Sequence, residues 1–497
     1  MKKYLFFRII RSIISIFLVT TLTYAIIYSL VPRRSIFKGD AMVSKLQAQP
    51  DKMVDYKNTA YDKMAYIDFY NSKKLQEAAS KDYPEVTVEG TKENKTIYEK
   101  WAKENGWTIS EYKQSKQFYA TREVSLLTRV WRFYSNLIHI DHPWKVKDSD
   151  NPGLKRSIKI TNDPLMGWSL VGSGTQYKYL IYFDSSFPFI HQNILHVDLG
   201  TSYPTYAGIP VSDVITGGQG RTVSSEVTFP NGEKQNSSLE LGSLQYTQTS
   251  KLNENDAKKF GDNYTTAKSN YADSSMMGTS FKIGFVAVII TYLIAIPSSI
   301  LMARFKNRLP DRIGVAVITI LIATPSLAFI YFFRYLGKSL FNLPDNYQVL
   351  GAGDIRSYIM PTVILGLLGV SGMVIWVRRY MIDQQSADYV KFAKAKGLNS
   401  AEISRRHIFK NAFIPIVNGV PGSIIGAIGG ATITESIFIV PGMGKMLPDA
   451  ILKYNNPVVI GIVFIFTTVS VFSVLLGDIA VTLADPRVKL ASGKGDN

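Results

Sequence analysis

At 497 residues, with 46% hydrophobic side chains and a mean hydropathy of +0.04, the chain is too long for one small domain and reads as a mixture rather than a uniform body. Its net charge of +17 raises nucleic acid as a partner, yet residues 33–277 carry 31 Lys and Arg against 28 Asp and Glu, which leaves +14 on the apolar remainder. Basic charge concentrated beside apolar runs argues against nucleic-acid binding, and the absence of cysteine excludes a disulfide framework.

The first apolar run, about Ile9 to Val31, is long enough to span a bilayer, which needs roughly 20 residues. A basic Pro32-Arg33-Arg34 follows it in place of a small-residue cleavage site, so it reads as a retained anchor. Residues 33–276 then predict a folded α+β domain with dense aromatics, more core-like than platform-like. Helices are expected over Lys52–Ser80, Lys95–Asn105 and Val124–Ile140, and strands over Glu85–Val88 and Ser157–Thr161. Pro230-Asn231-Gly232 between Ser224–Phe229 and Gln235–Leu241 is a hairpin signal. The missing disulfides favour a bacterial surface without an oxidising periplasm.

Five more spans follow at about Met277–Met302, Ile313–Leu336, Tyr358–Val377, Ala412–Phe438 and Val458–Leu483. Basic residues gather at alternate ends of the spans: Lys2 to Arg11, Arg304 to Arg312, Arg378 to Lys410, and Arg487 to Lys494. The positive-inside rule then expects both termini in the cytoplasm and residues 33–276 outside. The fold class expected is an all-α polytopic membrane domain of six transmembrane helices with a large α+β extracellular domain inserted between helices 1 and 2. The domains are residues 1–32, a cytoplasmic tail and the first helix; 33–276, extracellular; 277–490, the core with helices 2–6; and 491–497, a cytoplasmic tail.

Pro297, Pro325, Pro361, Pro415 and Pro421 fall in or at the ends of spans, either as packing kinks or as backbone freed along a water-filled path. Gly422, Gly426 and Gly430 repeat every four residues, a stripe that lets another helix approach closely or that lines a channel. Glu435 and Asp478 stand near the ends of the fifth and sixth spans, and an intramembrane acid needs a partner or a role. Pro325, Gly430 and Glu435 are the pore or gate candidates.

Between the fourth and fifth spans lies Asp388–Pro415, DYVKFAKAKGLNSAEISRRHIFKNAFIP. Val390, Ala393 and Gly397 at i, i+3 and i+7 give one small, flat helical face, and a second short helix is expected to start near Glu402. The segment is either a basic loop on anionic lipid or a surface gripped by a cytoplasmic partner. Tyr389-Val390-x-x-Ala393-x-Ala395-Lys396-Gly397-Leu398, then His407-x-x-x-Asn411-Ala412-x-x-Pro415, resembles the EAA loop of the dipeptide and oligopeptide branch of ABC importer permeases. Gly429-Gly430-Ala431 to Glu435, Pro441-Gly442-Met443-Gly444, Leu475 to Asp485-Pro486-Arg487 with Asp478, and Asp198-Leu199-Gly200-Thr201-Ser202-Tyr203 resemble further signatures of that family. Val474 departs from its usual Asn, and Pro32-Arg33-Arg34-Ser35 replaces its usual Pro-Gly-Asp-Pro. The long insertions resemble B-type permease subunits of Gram-positive oligopeptide systems.

The resemblance implies a type I ABC importer permease fold and a non-catalytic subunit forming half of a peptide pore. It implies ATPase coupling through Tyr389, Val390, Ala393, Ala395, Lys396, Gly397 and Leu398. The implied partners are a second homologous permease, two cytoplasmic ABC ATPases, an extracellular peptide-binding lipoprotein, oligopeptide and membrane lipid. No cofactor or metal is expected on this chain, ATP and Mg being used by the ATPases. Gly337-Lys338-Ser339 mimics the end of a phosphate loop but has Phe332 where the first glycine belongs. The alternative is a mechanotransmitting or signalling membrane protein with a large extracellular sensor and no transport; a proton-coupled carrier is disfavoured by the scarcity of buried acids.

Overall fold

Lys2–Leu30 contains no acidic residue, and it forms one uninterrupted helix, α1. The structure, a computed structural model, describes residues 2–86, 94–147, 152–163, 166–183, 190–229, 231–244, 254, 258 and 265–484. It divides into two compact units, Phe37–Ser274 on the one hand and Met1–Ile36 with Ser275–Asn497 on the other.

The inserted unit begins with α2 (Ala41–Lys45), capped by Asp40, and α3 (Pro50–Lys63). The single helix expected over Lys52–Ser80 is in fact α3, a strand β1 (Ile67–Tyr70) and α4 (Ser72–Asp82). Ala65 takes a left-handed φ of 59° that ends the first helix, Ile67 and Phe69 alternate inward with Asp68 and Tyr70 less buried, and the Asn71 side chain caps Lys74 N–H to start the second. Then come α5 (Lys95–Asn105), as the sequence predicts, β2 (Thr108–Glu111) and β3 (Phe118–Glu123), giving an antiparallel sheet in the order β1-β3-β2. Leu75, Ala79, Tyr98, Trp101, Phe118 and Ala120 form its core, each large side chain contributing about 1.5–3 kcal/mol. Glu85 and Val86 are not in a strand, and the rest of the strand expected over Glu85–Val88 lies outside the described residues.

The helix expected over Val124–Ile140 stops early: Ser125 caps α6 (Leu126–Asn136), after which Ile138-His139-Ile140 is a strand, β4. β5 (Ser157–Asp163), β6 (Gly167–Ser173), β7 (Tyr179–Phe183) and β8 (Ile190–Gln192) make a four-stranded antiparallel sheet, and β9 (Leu195–Val197) pairs with β4. Register puts Ile158, Ile160, Trp168, Phe183 and Ile190 on one face of that sheet, and all five are exposed. Beyond α7 (Val211–Thr216) and β10 (Gln219–Thr222), the predicted hairpin forms as β11 (Ser225–Thr228) against β12 (Lys234–Ser237). β13 (Leu239–Leu244) pairs with β14 (Thr265–Ser269), and β15 (Tyr271–Asp273) returns to β10.

The helical membrane unit resumes at Ser275, which caps α8 (Met276–Arg304). The span expected over Ile313–Leu336 is a broken pair: α9 (Leu309–Ala323) and α10 (Ser326–Phe341) meet at 107°. Pro325 has no N–H to continue the ladder, and it holds the preceding Thr324 extended at φ −76°, ψ 124°. α11 (Arg356–Gln385) packs along α8, with Thr291 Oγ1 donating to the Gly366 carbonyl at 2.7 Å and Ser299 Oγ to that of Val374 at 3.2 Å. A short helix α12 (Asp388–Ala395), a turn α13 (Ser400–Glu402) and a wide π-turn over Ile403–Ile408 lead into α14 (Phe409–Phe438). α15 (Met443–Leu452) and α16 (Asn456–Ala484) complete the described chain. Among the described residues five helices are long and apolar enough to cross a membrane, six when the bent pair counts as one.

Candidate functional site

The basic segment after α11 is a rigid double elbow rather than a loose loop. Asp388 sits in the first turn of α12, and Lys394 in its last, both favourable to the helix dipole. Gly397 then turns the chain with φ +79°; a Cβ there would meet nothing within 4 Å, so glycine is required by the backbone and not by space. Leu398 N–H reaches back to the Ala393 carbonyl, and the Asn399 side chain accepts Glu402 N–H at 2.9 Å to begin the next turn.

The two faces of α12 are sharply divided. Val390 and Ala393 are 2% and 4% exposed, sunk into a core with Ala303, Val377, Met381, Ile403, Ile408, Ala412 and Ile416. Tyr389 and Leu398 pack against the same core, and Tyr389 Oη donates to Gln384 at 2.8 Å. Of the three residues of the predicted small face, Val390 and Ala393 are turned inward against the chain's own spans, whereas Gly397 is exposed. Ala395, Lys396 and Gly397 are exposed, together with Asp388, Lys391, Phe392 and Lys394.

The elbow is braced on the spans by polar ties. Arg378 grips Asp311 with two hydrogen bonds of 2.7 and 2.8 Å, and Asp311, 2% exposed, also accepts Asn307 N–H. Gln385 donates to the Ala303 carbonyl at 2.8 Å, so the ends of α8 and α11 and the start of α9 are held as one piece.

Glu435 is wholly buried near the end of α14. One oxygen accepts Ser280 Oγ of α8 at 2.6 Å, and the other accepts Lys445 N–H in the first turn of α15 at 3.1 Å. Ser280 in turn accepts Met443 N–H at 2.8 Å. The carboxylate thus neutralises open N–H groups at a helix start. Gly442 leaves no room for a Cβ because that carboxylate occupies the place, and a Cβ on Gly444 would come within 2.8 Å of the Thr432 backbone. Glu435, Gly442 and Gly444 are thereby parts of one knot, and Pro441 immediately precedes it in the chain. Of the candidate gate residues, Pro325 makes the 107° bend and Gly430 lies on α14.

Asp478 on α16 pairs with Arg8 of α1 at 3.3 Å, a partner that spacing along the chain could not reveal. Gly422 and Gly426 of the stripe have nothing within 4 Å of where a Cβ would stand, so at these two positions the stripe is not used against the described helices of this chain. In the inserted unit, Asp198 accepts Gly200 N–H at 2.8 Å, and both line a polar cavity of about 730 Å³ with His139, Tyr177, His196 and Asp213. Asp485 and Arg487 lie outside the described residues.

A bundle of apolar spans with a braced basic elbow between two of them defines a polytopic membrane protein. Residues 295–490 match the model of binding-protein-dependent transport system inner membrane components. The whole chain is 52% identical to the whole of the oligopeptide transport system permease protein AmiC of Streptococcus pneumoniae. It is 30% identical to the dipeptide transport system permease protein DppB of Lactococcus lactis subsp. cremoris over 42% of this chain and 69% of that protein. A chain of the inward-facing MetNI methionine ABC transporter is similar over 42% of this chain and 93% of its own, at 14% identity and a TM-score of 0.35. This chain belongs to the family of binding-protein-dependent transport system inner membrane components. It is a non-catalytic ABC permease subunit, a multi-pass protein of the bacterial membrane that works with ATPase and binding-protein partners.

Proposed function

We infer that the chain forms one half of the translocation path of an ATP-driven oligopeptide importer. A second homologous permease forms the other half, with two ATPases on the cytoplasmic side and a peptide-binding lipoprotein outside a Gram-positive membrane. The observation that carries the peptide assignment is identity along the whole length with an oligopeptide permease, inserted unit included. Both termini and the elbow at 388–415 lie in the cytoplasm in this reading, because the basic clusters sit at that side, and residues 33–276 lie outside.

Energy enters at the elbow. The ATPases hold it differently in their two states, and the spans answer by exchanging outward for inward access. The brace between Asp311 and Arg378, with Gln385 on Ala303, makes the elbow and the ends of α8, α9 and α11 move together. Ala395, Lys396 and Gly397 supply contact on the partner side, whereas Tyr389, Val390, Ala393 and Leu398 hold the elbow's shape. The inserted unit receives the lipoprotein. Gly397→Asp tests the assignment: it strains the left-handed turn and adds charge to the exposed side, and peptide uptake is expected to be lost with the subunit still in the membrane. Normal uptake by that variant would overturn the coupling role.

A further inference from the structure

Phe392 has no place in the reading above. It is 70% exposed on α12, between Val390 and Ala393, which are buried. Helical spacing puts it on one face with Asp388, Ala395 and Lys396, all exposed, and Lys391 and Lys394 flank it. Among the described residues of α12 it is the one large apolar side chain that is exposed, on a helix whose opposite face is locked in the core.

We propose that Phe392 is the anchor by which the ATPase subunit grips this permease, entering an apolar pocket rimmed by acidic residues that pair with Lys391, Lys394 and Lys396. The proposal rests on the reading of 388–415 as the ATPase contact. Three observations favour a protein pocket over lipid. One aromatic beside a small Ala395 is a knob, whereas a lipid-lying helix presents a continuous apolar stripe. The knob stands on a segment fixed by the Gly397 turn, the Asn399 cap and the inward residues, so its position is defined before binding. A buried aromatic ringed by polar contacts is also the usual form of an interface hot spot.

The chain has no cysteine, so single cysteines report accessibility directly. Ala395→Cys and Lys396→Cys would be introduced into the complete transporter in nanodiscs and labelled with a maleimide, with and without the ATPases. Retention of the ATPases and peptide uptake would be measured in parallel for Phe392→Ala and Phe392→Leu, at matched amounts of subunit in the membrane. Both cysteines are expected to be shielded at least fivefold by the ATPases. Phe392→Ala should lower retention and uptake about tenfold, and Phe392→Leu should keep most of both. Retention and uptake within twofold for Phe392→Ala, with both cysteines still shielded, would remove the anchor and leave the coupling assignment standing. Equal labelling with and without ATPases would remove both. Cysteines shielded in nanodiscs without ATPases, and freed in detergent, would place the face against lipid and overturn the proposal.

Discussion

Glu435 and Ser280 meet at 2.6 Å although 155 residues separate them, and through that contact the end of α14, the start of α8 and the first turn of α15 become one structure. Replacing Glu435 by Ala leaves Ser280 and Lys445 N–H without their acceptor in a water-poor place. Each orphaned group costs about 1–3 kcal/mol. Glu435→Ala is expected to lower the unfolding temperature of the detergent-purified subunit clearly, with Glu435→Gln in between because its amide oxygen still accepts one bond. Equal melting of Glu435→Ala and the parent would show that the knot is not structural.

Two glycines should part company under the same substitution. Gly442→Ala puts a methyl group where the Glu435 carboxylate lies, while Gly426→Ala adds it in open space on α14. The first is expected to destabilise the subunit by about 1–3 kcal/mol through overpacking, and the second to leave its melting unchanged. Gly426→Leu extends the contrast: an intact isolated subunit that fails to co-purify with the second permease would identify the stripe as an inter-subunit face. Co-purification at parental levels would remove that role.

The brace between Asp311 and Arg378 is a bidentate pair in which Asp311 is buried and Arg378 is partly exposed, so removing Asp311 leaves a half-solvated charge without its partner. Asp311→Ala is expected to cost about 1–3 kcal/mol, and Arg378→Lys to lose most of the paired geometry while keeping the charge. Should the brace carry movement rather than fold alone, Arg378→Lys would lower the peptide transported per ATP hydrolysed more than it lowers melting. A double-mutant cycle on the two positions would measure their coupling.

In the inserted unit, Asp68 receives Arg132 at 2.6 Å and Arg122 at 2.7 Å. Burial pushes its carboxyl upward, but hydrogen bonds from Arg132 and then Arg122 outweigh this and hold it below the ordinary value of 3.8. A carboxyl depressed in the folded state stabilises fully above its unfolded pKa and loses that contribution as pH falls through the folded one. The unit should therefore loosen below about pH 4, and Asp68→Asn should flatten that part of the profile. Trp107, stacked by Arg122, gives a fluorescence readout. An unchanged acid profile in the variant would assign the acid response to other groups.

What could be read in advance follows the range of the forces involved. Spans, α5, the β11–β12 hairpin and the elbow ending at Gly397 are written in local periodicity and turn chemistry. β1 was hidden inside a helical pattern because its stability comes from pairing with β3, more than 45 residues on. The bend at Pro325 was legible as a proline but not as an angle, since neighbours decide whether a helix kinks or breaks. The contacts of Glu435 with Ser280 and of Asp478 with Arg8 join residues whose separation carries no pattern. Phe392 carries no signal of its own in the sequence, because the small residues beside it form the flat face; its outward direction follows only from the burial of Val390 and Ala393 in the core.

A single helical run from Ser400 to Phe438 joins the turn that follows Asn399 to the Glu435 knot, a rod of roughly 55 Å at 1.5 Å per residue. Its two ends report to opposite sides of the membrane in the topology inferred above. In the reading proposed above, were the knot to differ between the two ATPase-bound states, linkage would make the rod a two-way instrument: a molecule at the far end that prefers one of them would alter ATPase affinity by the same factor by which the ATPase alters its own. A compound with no passage into the cell would have a handle on its energy supply.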